Sequence, residues 1–230
     1  MPVLYHYPLC AFSRTARLAV GVYGIDAKLV EERPWDRRME FLALNPAGNV
    51  PVFVDDDGTA ACGSAVIAEY LEETHPPAAH GPRLMPGEPA ARAEVRRLMG
   101  WFNEKFNDEV TRNLLVEKIH RRFMPKELGG GAPDAGAVRA GLSNIKPHLK
   151  YIGYLVRQRN WLAGNDLSYA DLAAAAHLSC IDYLGSVPWD EDTDARNWYA
   201  RIKSRPAFRP LLADRIRGVS PPDHYADLDF

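Results

Sequence analysis

The 230-residue sequence predicts an α/β plus all-α architecture, with an α/β domain first and a helical domain after it. Three observations predict it. The first roughly eighty residues alternate short β-prone runs with helical ones. A stretch rich in Pro, Ala, Gly and His then interrupts the chain over residues 75–89. Beyond it strand signals nearly vanish, and apolar residues recur three or four apart. These shifts divide the chain into an α/β domain at 1–76, a linker at 77–88, an all-helical domain at 89–218 and an acidic-aromatic tail at 219–230.

The alternation of Val3-Leu4-Tyr5-His6-Tyr7 predicts a first strand, closed by Pro8-Leu9-Cys10. A helix follows through Ser13-Arg14-Thr15-Ala16-Arg17-Leu18 and stops near Gly24. Residues 27–31 predict a second strand, and Phe41 and Leu42 lie in a short helix. The turn Asn45-Pro46-Ala47-Gly48 leads into Val50-Pro51 and the apolar run Val52-Phe53-Val54. Proline lacks the N–H of a ladder residue, so Pro51 belongs at the strand's mouth, where X–Pro bonds tolerate cis geometry. Pro51 is expected to be cis, leaving the backbone groups of Val50 open to an extended ligand. Asp55-Asp56-Asp57-Gly58 signals a hairpin. The run from Ser64 to Leu71 predicts a helix with Ser64 near its N-cap.

In the second half, residues 88–123 form one long helical pattern through Val95, Met99, Phe102, Phe106, Val110 and Leu114. Residues 129–134 break it. Another pattern covers 135–159, where Pro147 predicts a kink. Ser168-Tyr169-Ala170-Asp171 reads as a capping box before an Ala-rich helix, a structural role. Residues 197–205 and 206–217 predict two shorter helices.

Composition narrows the function. Charged residues make up 25% and apolar ones 47%, as in globular domains, and the net charge of −2 supplies no basic field for nucleic acid. No run approaches the roughly 18 to 20 apolar residues of a membrane span, and the N-terminus lacks a signal-peptide layout. Three scattered cysteines without metal-ligand spacing point to a reducing, cytoplasmic setting. The histidines are scattered and no pair of them shares a helix face with an acid, so no metal site is expected. Cys10 falls between a strand and a helix N-terminus, where free N–H groups and the dipole lower a thiol's pKa. A small buried apolar residue is the other reading of that position. Ser13 is either a hydroxyl donor or a cap.

Tyr7-Pro8-Leu9-Cys10-Ala11-Phe12-Ser13 with Arg17, the stretch from Asn45 to Val52, and the run from Ser64 to Leu71 occur in a telling order. With Trp161-Leu162-Ala163-Gly164 and Ser168-Tyr169-Ala170-Asp171, the chain resembles the cytosolic glutathione transferase superfamily over essentially its whole length. The resemblance implies a thioredoxin-like N-terminal domain, a glutathione transferase C-terminal helical domain and a homodimer. It also implies that Val50 pairs with the cysteinyl backbone of glutathione, that Ser64 holds the γ-glutamyl end, and that Cys10 occupies the place of a catalytic Ser or Cys.

Departures qualify that picture. Gly63 stands where family members carry an acid, and Ala11 replaces a common proline. Losing the carboxylate removes a charge-assisted contact worth about 1.5 to 3 kcal/mol. The expectation is a vestigial glutathione site at Cys10, Val50, Pro51, Gly63 and Ser64, with no cofactor. Within the superfamily the chain looks most like an alphaproteobacterial division branch. That likeness implies a non-catalytic dimer binding FtsZ filaments, regulating their bundling and curvature, and signalling to septal wall synthesis proteins at the division site. Trp35, Arg112, Glu117 and Asp227 are the candidate partner-binding residues. The alternative is an active glutathione transferase or glutathione-dependent thiol reductase using Cys10 or Ser13.

Overall fold

The computed structural model describes residues 1–75 and 83–228. The first half of the expected linker, residues 77–82, and Asp229 and Phe230 of the expected tail lie outside the described residues. The chain runs β1 (Val3–His6), α1 (Ala11–Tyr23), β2 (Lys28–Glu31), α2 (Met39–Leu44), β3 (Val52–Val54), β4 (Ala60–Cys62) and α3 (Ser64–Thr74). The four strands form one mixed sheet in the order β2-β1-β3-β4. β2 is parallel to β1, while β3 and β4 are antiparallel to their neighbours. Leu4 faces Phe53 across the β1–β3 ladder, and both are fully buried. The Asp-rich hairpin turns as expected, with Gly58 in the left-handed region at φ 87°. The Val50–Pro51 bond is cis. This is the thioredoxin-like arrangement the sequence implied.

Two local expectations change. Ser64 is the first residue of α3 and does not cap it. Gly63 occupies the cap position at φ 91°, and no side-chain cap bond forms. The loop holding Trp35 winds into a 3-10 turn, Pro34–Asp36.

The helical domain contains α4 (Pro89–Gly100), a π-helix (Trp101–His120), α5 (Arg121–Phe123), α6 (Ala135–Gln158), α7 (Tyr169–Tyr183), α8 (Thr193–Lys203) and α9 (Arg209–Leu212). The expected single long helix therefore changes winding at Trp101. Its buried residues are Phe102, Phe106, Val110, Thr111, Leu114, Leu115 and Ile119, which recur about every fourth place and drift off a 3.6-residue stripe. A wider i→i+5 turn keeps that spacing on one face.

α6 runs unbroken through Pro147. α8 begins earlier than expected, because Asp192 caps it by accepting the Ala195 N–H at 3.0 Å. The helix expected at 206–217 shrinks to a 3-10 turn, Pro206–Phe208, and α9. Asp214, just beyond α9, is used instead as a counter-ion.

α7 is buried along its whole length, and its Ala-rich sequence lets α1 pack close to it. The capping box forms: the Asp171 carboxylate accepts the Ser168 N–H at 3.0 Å and the Ser168 hydroxyl at 2.9 Å. Its other oxygen accepts the Leu162 N–H at 2.9 Å and the Trp198 indole N–H at 3.0 Å. Leu84 and Met85, at the end of the expected linker, are fully buried, and the Leu84 carbonyl accepts the Tyr169 N–H.

Candidate functional site

The C-terminal end of β1, the turn before β3 and the N-terminus of α3 face the π-helix across a cleft between the domains. Three adjoining cavities of 340, 490 and 420 Å³ line it. Cys10, Arg112, Val116 and His120 are shared by the first two, Phe12 joins the first to the third, and Val50 joins the second to the third.

The sequence-predicted residues of the vestigial site, Cys10, Val50, Pro51, Gly63 and Ser64, all line this cleft. Cys10 is the N-cap of α1. Burial nevertheless pushes its thiol pKa up, and the opposing bonds from Ser13 and Phe12 and the Arg14 charge do not reverse the shift. The expectation of an acidified thiol at the helix N-terminus is thus overturned by desolvation. Ser13 is fully buried and accepts the Tyr7 N–H at 3.2 Å, so its hydroxyl serves the β1–α1 turn and lies outside the cleft lining.

Val50 is 8% exposed, and its N–H and C=O make no hydrogen bond among the described residues. Ser64 is 5% exposed, and its hydroxyl is likewise without a partner there. The place of a Gly63 side chain is open space. One acid lines this part of the cleft, Glu104 of the π-helix, which the sequence reading did not single out. Only the packing of the two domains brings it opposite Ser64.

The middle cavity is walled by aromatic rings. Trp35 meets Tyr7 at 5.2 Å between centroids and His120 at 5.7 Å, and Tyr7 meets His120 at 5.5 Å. Burial lowers the His120 pKa, so the ring is neutral at physiological pH, and its Nε2–H donates to the Leu9 carbonyl at 3.1 Å. Burial raises the Tyr7 hydroxyl to about 12, keeping it a proton donor. Arg112 is exposed on the rim beside Trp35, so two of the predicted partner residues share the cleft.

The other two lie elsewhere. Glu117 points inward, accepting Arg121 at 3.0 Å and the Asp134 N–H at 2.7 Å, so its carboxylate is occupied by its own domain. Asp227 is exposed on the tail. As far as Leu228 that tail packs on its own domain. Tyr225 is fully buried, and the His224 carbonyl accepts the Lys203 ammonium at 3.0 Å.

Among the described residues no helix is long and apolar enough to cross a membrane, and no group of three His, Cys, Asp or Glu side chains is placed to hold a metal.

Comparison with known proteins agrees with this geometry. Residues 4–83 match the model of the glutathione S-transferase N-terminal domain, and residues 113–206 that of its C-terminal domain. The chain is 45% identical over 230 residues to FtsZ-localized protein A of Caulobacter vibrioides, covering 99% of this chain and 97% of the relative. The crystal structure of a glutathione S-transferase from Sinorhizobium meliloti 1021 is similar with TM-score 0.94 and 49% identity, over 100% of both chains. The structure of FzlA from C. crescentus is similar with TM-score 0.92 and 45% identity, over 100% of this chain and 99% of that one.

Proposed function

This chain belongs to the glutathione S-transferase superfamily, and from that premise we propose that it is a non-catalytic, FtsZ-associated cell-division protein. The observation that carries the reading is its end-to-end similarity to FtsZ-localized protein A. In the finer form of the proposal it is a homodimer at the cytoplasmic division site. There it binds FtsZ filaments, alters their bundling and curvature, and acts on septal wall synthesis proteins. Two copies related by two-fold symmetry present each binding patch twice, which suits cross-linking of filaments. A thiol held protonated at Cys10 and the missing carboxylate at Gly63 both support the loss of catalysis and of tight glutathione binding.

The test is co-sedimentation with polymerised FtsZ. Wild type is expected in the pellet, with less pelleting for Trp35→Ala, Arg112→Glu and Asp227→Lys. Wild-type protein left in the supernatant at physiological salt would end the proposal.

The alternative, an active transferase or thiol reductase, is favoured by one observation: Glu104 brings a carboxylate to the cavity of the open Ser64 hydroxyl. Micromolar glutathione binding by titration calorimetry, lost in Glu104→Gln, would establish it in place of the vestigial reading.

A further inference from the structure

We infer that the helical domain carries a second ligand site, apart from the interdomain cleft, that takes a nucleoside monophosphate. Its phosphate lies at Arg83 and Arg205, its sugar hydroxyls at Asp166 and its base beside Trp161. The site is a cavity of about 690 Å³ between the start of α4, the loop that precedes α7 and the chain just beyond α8. It is larger than any of the three cavities of the cleft and shares no lining residue with them. That volume falls in the range of small-molecule sites.

The cations lining it are not neutralised. The guanidinium groups of Arg83 and Arg205 make no hydrogen bond or ion pair among the described residues. Arg205 is half-buried, with its guanidinium 5.6 Å from the centroid of the Trp161 ring. A further cation, Arg201, lies 4.0 Å from the same centroid, bonded to the Asn160 carbonyl and to no carboxylate among the described residues. Burial lowers the Arg201 pKa and the Arg205 charge lowers it further, against the opposing charge of Asp171. Inward arginines elsewhere, such as Arg14 and Arg17, have a carboxylate set against them. Here two like charges share one indole, and the anion that would balance them must come from outside. Guanidinium groups bind phosphate oxygens through paired, charge-assisted hydrogen bonds.

The rest of the lining describes the body of the ligand. Asp166 is exposed on the same cavity, and its carboxylate reaches neither guanidinium and has no other partner among the described residues. An acid left free beside free cations fits a ligand with an anion at one end and hydroxyl donors at the other. Carboxylates accept ribose hydroxyls in this way. The N–H groups of Asn165, Asp166 and Leu167 also make no hydrogen bond among the described residues, although Leu167 is only 4% exposed. Buried backbone donors are almost always paired, so this loop has room for an acceptor from a ligand. Pro86, Ala91, Val95 and Ala163 supply apolar surface beside the Trp161 ring, which suits a planar base.

The probe is adenosine 5′-monophosphate, titrated into the full chain by calorimetry, with adenosine and inorganic phosphate as the other ligands. The nucleotide is expected to bind with sub-millimolar Kd, and adenosine and phosphate roughly tenfold more weakly or worse. Nucleotide binding should fall roughly tenfold in Arg205→Gln. Arg83→Gln should do the same from an exposed position, where the packing of Arg205 on Trp161 is undisturbed. Asp166→Ala should erase the preference for the nucleotide over its 2′,3′-dideoxy analogue. No nucleotide binding, phosphate or adenosine bound as tightly, or binding indifferent to both arginine substitutions would overturn the site. So would a wild type that binds the dideoxy analogue equally well, and so would displacement of the nucleotide by excess glutathione, which places it in the cleft. Filament co-sedimentation is read separately, and neither result decides the other.

Discussion

At the scale of single residues, burial decides the chemistry more than sequence position does. Cys10 sits where a helix N-terminus should acidify a thiol, yet desolvation wins and its pKa rises. Cys62 and Cys180 shift the same way, Cys180 to about 12. The folded protein should therefore react with a disulfide reagent more slowly at neutral pH than the unfolded chain does. Its rate should still climb as the pH is raised. A fast, pH-independent phase near neutrality, lost in Cys10→Ala, would reveal a thiolate and reopen thiol catalysis.

His177 shows the same force on a base. It is fully buried, with the Thr111 hydroxyl 2.8 Å from Nδ1 and Asn103 Oδ1 3.3 Å from Nε2, and burial lowers its pKa from 6.5 to about 3. Between those values the unfolded chain binds the proton and the native state does not. Stability from this group is complete above 6.5 and is lost as the pH falls towards about 3, at up to about 1.4 kcal/mol per pH unit. Urea unfolding from neutral pH down to about pH 5 should show a shallower acid slope in His177→Gln than in wild type. Identical slopes would mean that the imidazole is protonated in place.

At the scale of elements, legibility depended on whether a local rule or a tertiary one was in force. The Val50-Pro51 junction, the Asp-rich hairpin and the Ser168–Asp171 capping box were readable because turn chemistry and capping act within a few residues. The expected helix over 206–217 stops at Leu212, and Asp214 beyond it is held by Arg14 and Arg17 in a long-range ion pair that no local pattern announces. The π-winding after Gly100 left a faint trace, apolar residues every fourth place where a 3.6-residue period alternates three and four. Glu104 was invisible as a site residue, because only domain packing brings it to the cleft. The capping box also predicts a cost. Asp171→Ala strands the Leu162 N–H and the Trp198 indole in a dry interior, and chemical denaturation should show a loss of about 3 kcal/mol. A loss below about 0.5 kcal/mol would mean that water replaces the carboxylate.

At the scale of the whole molecule, the tail and the first helix are parts of one clamp. Arg14 is fully buried and donates to the Pro8 carbonyl at 2.8 Å, the Ser179 hydroxyl at 2.8 Å, the Tyr225 hydroxyl at 3.1 Å and Asp214 at 3.2 Å. Arg17 takes the same carboxylate at 2.7 Å. The Tyr225 hydroxyl in turn donates to the Leu211 carbonyl at 3.1 Å. The sequence marks the tail as acidic and aromatic with Asp227 as a partner candidate, but its Tyr225 is spent inside the protein and ties the helical domain to α1. Removing the hydroxyl alone, in Tyr225→Phe, should cost about 1 to 2 kcal/mol. Asp214→Ala leaves two guanidinium groups without their counter-ion and should cost more, about 3 to 5 kcal/mol. Urea denaturation of both variants checks the order, and a Tyr225→Phe protein as stable as wild type would dissolve the clamp. The consequence reaches the functional tests. A truncation before Pro221 removes Tyr225 and so confounds lost contacts with a loosened domain interface. Asp227→Lys acts at an exposed position and leaves the Arg14 bonds in place, so a loss of filament binding in that variant at unchanged stability reports on a contact surface.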